Sequence, residues 1–312
     1  MSVAVTLDNF PRVETDTMIA GMLPIIGAVG VFHHDRDLAP LDRQPVIRQN
    51  RDTLYSVAVA DLTNGATLTV PDMRDRYISV MVINQDHYIN RVYHRPGRYR
   101  LTVDEFGTDY AVVAARILFD PSSRADLDEV HALQDGLRIE ADGRRSFTRP
   151  DNDPDSYKAV RDALLVLGKT MGSLSRCFGP IEDVDPVHHL VATASAWGGL
   201  PDEEAQYINV NPQLSSGRYT MRFGDAPADA FWSLSVYDGD GYFDRSAVGA
   251  TNVNSVFAIP DADGAVTVHL GDWDAGTPNR LALPEGWNLL IRLYRPRLDE
   301  LKDWHTPEIV PA

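Results

Sequence analysis

The sequence predicts an α+β fold, with two antiparallel β-sandwich or jelly-roll-like units of similar topology and a helical insert between them. Ser79–Tyr88 (SVMVINQDHY) and Ser233–Tyr242 (SLSVYDGDGY) both fit Ser-x-x-Val-x-(Asn/Asp)-x-Asp-x-Tyr, half a chain apart. Other echoes keep the same order. LYSVAV at Leu54–Val59 answers QYINV at Gln206–Val210, and GRYRLTV at Gly97–Val103 answers GAVTVHL at Gly264–Leu270. VVAARIL at Val112–Leu118 answers LLIRLY at Leu289–Tyr294, which aligns Arg116 with Arg292. Alternating β segments fill residues 46–120 and 205–296, whereas residues 121–200 carry helical periodicity.

Taken in order, Thr15 and Asp16 are positioned to cap a first helix running to about Gly30, and HHDRDLAPLDRQP reads as a polar loop. TLYSVAVADL, ATLTV, YISVMVI, YRLTV and YAVVAARILF then read as strands, punctuated by Asn64-Gly65, Pro71-Asp72 and Pro96-Gly97. Leu127, Val130, Leu133 and Leu137 make one stripe of a helix over Ala125–Ile139, with Asp126 and Asp128 favouring its first turn. A second amphipathic helix covers Asp155–Leu167. A third covers Pro186–Trp197, with Asp185 as N-cap, Pro186 at the first helical position and Gly198-Gly199 as its stop. YINV, RYTMRF, AFWSLSVY, NSVFAI, AVTVHL and WNLLIRLYRP restore the β pattern, and RLDELKDWHTPEIVPA reads as a surface extension. The expected domains are residues 1–122 (a helix plus the first β domain), 123–200 (a helical connector) and 201–312 (the second β domain).

Composition narrows the function classes. A net charge of −16 over 312 residues disfavours a nucleic acid partner. Lys158, Lys169 and Lys302 are the only lysines, and their placement in a surface helix and the tail argues against Schiff-base chemistry. Cys177 is the only cysteine, so there is no internal disulfide and no thiolate metal cluster. The apolar stretch Met18–Phe32 is too short for a bilayer and is interrupted by Pro24, and MSVAVTLDNF does not read as a signal peptide. The expectation is a cytoplasmic protein with no membrane partner and a possible homo-oligomer. Dinucleotide, P-loop, esterase-elbow and zincin motifs are absent from the sequence, no metal spacing emerges from His33-His34 or His188-His189, and no cofactor is expected.

Three constellations carry candidate chemistry. VIRQNRDTLYS gathers Arg48, Asn50, Arg51, Asp52 and Tyr55 where a strand begins, and a guanidinium there suits a substrate carboxylate. NQDHY places Asp86, His87 and Tyr88 at a strand end, with Asp86 and His87 as an acid–base couple. The second half keeps Asp240 and Tyr242 but has Gly241 in place of His87, which marks His87 as the half-specific member. Trp197, Trp232, Tyr237, Arg292 and Tyr294 complete an aromatic, cationic lining. The structural alternative is that Arg51–Asp52 and Asp86 form internal pairs that lock the strands, and that Trp232 is core.

With VIRQNRDTLYS, RYISVMVINQDHY, DLDEVHALQDGLRI, DPVHHLVATASAWGG, FWSLSVYDGDGYF and GWNLLIRLYRP, the chain resembles bacterial proteins that pair domain-of-unknown-function families 1254 and 1214. The resemblance implies two β-rich domains joined by helices and implies no activity. Many relatives of this compact type carry two cysteines around the loop before the last strand. Here GDWDAGTPNRLAL has Trp273 and Arg280, so no thiol role transfers. The leading functional expectation is a cofactor-independent enzyme using acid–base chemistry on a small carboxylate- or carbonyl-bearing metabolite in an interdomain cleft, as a lyase, isomerase or hydrolase. In it Asp86, His87, Tyr55, Arg51 and Asp52 are catalytic, and Arg48, Asn50, Tyr88, Trp197, Trp232, Tyr237, Arg292 and Tyr294 bind substrate. The alternatives are a non-catalytic small-molecule-binding protein and a metal-dependent oxygenase or hydrolase.

Overall fold

Alternating apolar side chains become strands wherever a second sheet can cover them, and both halves of the chain do this in the same way. The computed structural model describes residues 2–38, 40–44, 47–141, 143, 145–245 and 249–312; Val46, where the first β pattern starts, lies outside them. The chain divides into two units, Met1–Arg36 with Leu54–Asp202, and Asp37–Thr53 with Glu203–Ala312.

The first unit opens with α1 (Phe10–Ile26), β1 (Phe32–His34), β2 (Thr53–Asp61), β3 (Ala66–Val70), β4 (Ile78–Asn84) and β5 (Ile89–Tyr93). It continues with β6 (Gly97–Leu101), α2 (Val103–Phe106), β7 (Tyr110–Leu118), α3 (Arg124–Asp135), β8 (Arg138–Ala141), α4 (Pro154–Gly168) and α5 (Pro186–Ser195). The second unit holds β9 (Ala205–Val210), β10 (Tyr219–Phe223), β11 (Ala228–Tyr237), β12 (Asn252–Asn254) and β13 (Val266–Leu270). After these come β14 (Arg280–Leu281), β15 (Asn288–Pro296), α6 (Leu298–Leu301) and β16 (Ile309–Pro311).

The larger sheets run β1-β2-β7-β4-β5 and β12-β11-β15-β9, and the smaller ones β6-β3-β8 and β14-β13-β10-β16. Matching β2, β4, β5 and β7 to β9, β11, β12 and β15 turns the order β2-β7-β4-β5 into β9-β15-β11-β12. Matching β3, β6 and β8 to β10, β13 and β16 reproduces the smaller sheet. The register agrees as well: Ser79 stands opposite Arg116, and Ser233 opposite Arg292. The turns that close the shared motif bond alike. Asn84 N–H donates to the Tyr88 carbonyl, and the Asn84 side chain accepts from the N–H groups of Asp86 and Tyr88. Asp238 does the same with Tyr242 and Asp240. Each turn needs a left-handed residue; Gly241 supplies it at φ 87° and His87 at φ 67°.

In the second unit Trp232, Leu234 and Val236 of β11 and Leu289, Ile291 and Leu293 of β15 meet Met221, Phe223 and Val268 of the smaller sheet in one core. The alternate residues, Ser233, Ser235, Tyr237, Arg292 and Tyr294, therefore point to the other face. Residues 37–53, which run up to and include the first residue of β2, belong to this second unit, while the helices α3–α5 belong to the first.

Several local expectations are corrected. The first helix begins at Phe10 rather than at Thr15 and Asp16, because Pro11 fits the first turn; it ends at Gly27. Leu137 lies beyond α3, which stops before Gly136, and Ile139 belongs to β8. The C-terminal stretch lies at the surface as expected, but it is ordered into α6 and β16, and β16 pairs with β10. As the sequence already indicates, no thiol acts in the loop before β15, which is fastened by Arg280 donating to the Trp273 carbonyl (2.9 Å) and Trp273 Nε1 donating to the Leu270 carbonyl (3.0 Å).

Candidate functional site

The residues singled out in the sequence divide between the two units, and each group has its own chemistry. In the first unit His87 is fully buried. Gly198 N–H donates to its Nε2 (2.9 Å), so Nδ1 carries the proton and donates to Thr193 Oγ1 (2.8 Å); that hydroxyl in turn donates to the His189 carbonyl (2.8 Å). Stacking on His189 and Trp197, with ring centroids at 5.4 and 5.5 Å, closes the remaining surroundings. Burial, and then the neighbouring His189, hold the His87 pKa well below the ordinary histidine value.

Asp86 turns the other way and forms a two-point ion pair with Arg12, at 2.7 Å for each bond. The expected Asp86–His87 couple is therefore not assembled: the carboxylate goes to Arg12 and both imidazole nitrogens are engaged within the fold. Tyr88 stacks on His189 (4.4 Å), and Trp197 Nε1 donates to Thr15 Oγ1 (3.2 Å). Tyr55 accepts from Arg116 Nε (3.3 Å), whose Nη2 donates to the Gly198 carbonyl (2.8 Å). These residues organise the first unit's interior.

The second unit holds Arg48, Asn50, Arg51, Asp52, Tyr237, Arg292 and Tyr294. Residues 48–52 lie outside the strands, with β2 beginning at Thr53, so the expected strand alternation does not apply to them. Asn50 closes a local turn, its Oδ1 accepting the Asp52 N–H (2.8 Å). Asp52 is buried and well supplied with donors. Its Oδ2 accepts from Ser233 (2.6 Å) and Tyr294 (3.3 Å), and its Oδ1 from Asn252 Nδ2 (2.6 Å).

Arg292 is also buried and donates to Ser235 (2.9 Å), to the Tyr237 hydroxyl (2.8 Å) and to the Arg48 carbonyl (2.8 Å). Burial disfavours its cation, but Tyr237, Tyr294 and Asp52 more than offset this, so its pKa is raised. The Tyr237 hydroxyl in turn donates a hydrogen bond to the Gln49 carbonyl (2.9 Å).

Arg48 and Arg51 lie over this network. The Arg48 guanidinium sits 5.8 Å from the Tyr237 ring centre and that of Arg51 5.7 Å from Phe243, and the two rings are 4.5 Å apart. Both pKa values are lowered by burial; for Arg48, Tyr237 counters this and the Arg292 cation adds to it. Arg48 Nη1 is buried and finds no hydrogen-bond partner among the described residues. Its backbone is left-handed, at φ 52°, a costly conformation for a residue with a Cβ.

Trp232 does not join this face. It stacks on Phe223 at 4.0 Å in the sandwich core. Ser233, Asn252 and Phe243 were not singled out in the sequence as binding residues. Ser233 opens the repeated motif and Phe243 follows it directly, whereas Asn252 has no local signal. Among the described residues no group of three or more His, Cys, Asp and Glu side chains is placed to hold a metal ion, and no helix is long and apolar enough to cross a membrane.

Comparison with known proteins agrees with the repeated architecture. The family model "Protein of unknown function (DUF1254)" matches residues 29–141, and "Protein of unknown function (DUF1214)" matches 207–298. The two matches lie one after the other along the chain. The two family matches thus fall on the two halves of the internal repeat. No curated protein matches the chain significantly. Among solved structures, the VPA0106 protein from Vibrio parahaemolyticus is similar over 98% of this chain and 97% of its own, with 17% identity and a TM-score of 0.75. An uncharacterized protein from Burkholderia cenocepacia is similar over 98% of this chain and 87% of its own, with 14% identity and a TM-score of 0.54. At such identities the likeness concerns the fold alone.

Proposed function

We propose that this DUF1254–DUF1214 protein binds a small carboxylate-bearing metabolite at the arginine face of its second unit. The observation that carries the reading is Arg48, a half-buried cation in a left-handed backbone whose Nη1 has no acceptor among the described residues. A buried donor left unsatisfied costs roughly 1–3 kcal/mol, and an incoming carboxylate oxygen removes that cost. Asp52 makes no hydrogen bond to Arg48 Nη1; its oxygens accept from Ser233, Asn252 and Tyr294. Arg51 lies beside it over the buried Phe243 ring and adds positive charge to the same face.

Binding is favoured over turnover because the groups on this face are held in place rather than poised to move a proton. The Tyr237 hydroxyl both accepts and donates within the fold, and the acid–base couple expected at Asp86 and His87 is engaged elsewhere.

Isothermal titration with acetate, succinate and inorganic phosphate tests the proposal. At least one of these anions is expected to bind, and Arg48→Ala to weaken it about tenfold or more, the scale of a lost charged hydrogen bond, with an unchanged melting temperature. Equal affinity in wild type and Arg48→Ala, or no binding of any of the three, removes the reading.

A further inference from the structure

The first unit contains a separate, half-open surface cleft of about 420 Å³, within the range of small-molecule sites. Val13 and Thr17, one turn apart on α1, form one wall, and Tyr157 of α4 another. The remaining wall is the segment that carries Arg149, Asp151 and Asn152. That segment is held by the backbone of Val3, whose N–H donates to the Asp151 carbonyl (2.8 Å) and whose carbonyl accepts from Asp153 N–H (2.8 Å).

The polar groups around the cavity fall into two kinds. Glu14, buried behind it, is saturated: the Tyr157 hydroxyl donates to one oxygen (2.6 Å) and Arg161 Nε to the other (3.1 Å). Asn152 Nδ2 is a buried donor with no partner among the described residues. Arg149, at the exposed rim, donates to a neutral group, Thr17 Oγ1 (2.8 Å), and makes no ion pair within 4 Å among the described residues. Asn152 Nδ2 calls for an acceptor, and Arg149 adds a cation at the rim whose field is shared with the buried Asp16.

We infer that this cavity is a second binding site, distinct from the arginine face, and that its ligand is a small monocarboxylate with an apolar body. The carboxylate faces Arg149, an oxygen accepts from Asn152 Nδ2, and the apolar body lies against Val13 and the Tyr157 ring. Asp151 on the same wall repels a second negative charge, which selects a monoanion over a dianion.

Benzoate is the probe, with ligand-detected NMR on the intact chain. Wild type is expected to bind it. Arg48→Ala, which removes any benzoate held at the arginine face, is expected still to bind it, and adding Arg149→Ala or Asn152→Asp to that variant weakens the remaining binding about tenfold. Arg149 is exposed, so its variant keeps the melting temperature of the wild type and reports on binding alone. The inference is overturned if benzoate fails to bind, if both cavity variants bind it unchanged, or if Arg48→Ala alone abolishes binding. The last outcome assigns benzoate to the arginine face and leaves the reading of that face standing; loss of the Arg48 effect on other anions leaves the cavity untouched.

Discussion

The covered faces of the two larger sheets begin from the same serine–arginine pair and end in different chemistry. In the first unit Ser79 faces Arg116, Arg116 reaches Tyr55 and the Gly198 carbonyl, and Ser79 Oγ has no partner among the described residues. In the second unit Ser233 faces Arg292 in the same register, Arg292 again reaches a carbonyl, that of Arg48, and Ser233 donates to the carboxylate of Asp52. A repeated strand framework thus places the same side chains, and the segment laid over the sheet decides what they do. The second unit receives a carboxylate and two further arginines from residues 48–52, whereas the first receives the backbone of Gly198 and the aromatic ring of Trp197.

The comparison is broken most directly at Asp52. Asp52→Ala leaves Ser233, Asn252 and Tyr294 without their acceptor and the buried Arg292 without its nearby carboxylate. A loss of about 3–5 kcal/mol is expected, read from hydrogen exchange of the β11 and β15 amides so that the second unit is measured separately. A loss below about 1 kcal/mol would show that this network is not what holds the segment down.

The turn residues sharpen it next. His87→Ala removes two hydrogen bonds and a buried ring, for an expected cost of about 3–5 kcal/mol by analogy with buried aromatic truncations, at the lower end where the cavity relaxes. Gly241→Ala meets only ordinary contacts, with Ile47 Cβ 3.7 Å from the new methyl, so its cost is that of the left-handed backbone, about 1–2 kcal/mol. Equal losses at the two sites in thermal melts would mean that His87 serves the turn alone.

The serines give a smaller and cleaner contrast. Ser233→Ala is expected to cost about 1–3 kcal/mol, because Asp52 loses a donor. Ser79→Ala is expected to change stability by less than about 0.5 kcal/mol or to raise it, since its hydroxyl is buried without a partner. A matched loss in both, by urea titration, would contradict the difference drawn between the two faces.

The least demanding test is pH. Burial keeps His87 and His189 below the ordinary histidine pKa, and burial, then Arg36, lower His34 to about 4. On unfolding these groups regain a pKa of about 6.5 and take up protons that the folded chain refuses. Their contribution is therefore complete above about pH 6.5 and is lost as the pH falls, down to about 4 for His34, by at most about 1.4 kcal/mol per pH unit for each group. Melting temperatures measured across this window should fall with acidification and fall less steeply in His34→Gln; a flat profile would place protons on these rings in the folded state.

Much of the fold was legible because strand periodicity and turn residues are local signals. The echo between Ser79–Tyr88 and Ser233–Tyr242 corresponds to equivalent strands and equivalently bonded turns, and Asp185 caps α5 by accepting from the N–H groups of Val187 and His188. The helix starting at Phe10 was misjudged because Thr15 and Asp16 have the residue types of a cap while lying buried inside the helix. The candidate residues were recognised by type more successfully than by role. His87 was marked by its contrast with Gly241, a real contrast, but nothing in its neighbours announces that Thr193 and Gly198, more than a hundred positions away, take both its nitrogens.

From the sequence alone came the two-part β architecture, the similar topology of its two units, and the concentration of arginine, carboxylate and aromatic groups in a few short segments. Those follow from period-two burial and from turn chemistry, which act between near neighbours. Only the tertiary structure decided that residues 37–53 belong to the second unit, that Asp52 meets Ser233 and Asn252, and that Arg48 keeps an unmatched buried donor. Those outcomes depend on which segment covers a polar sheet face. The hydrogen bonds that settle it join residues about two hundred positions apart, and no local pattern encodes them.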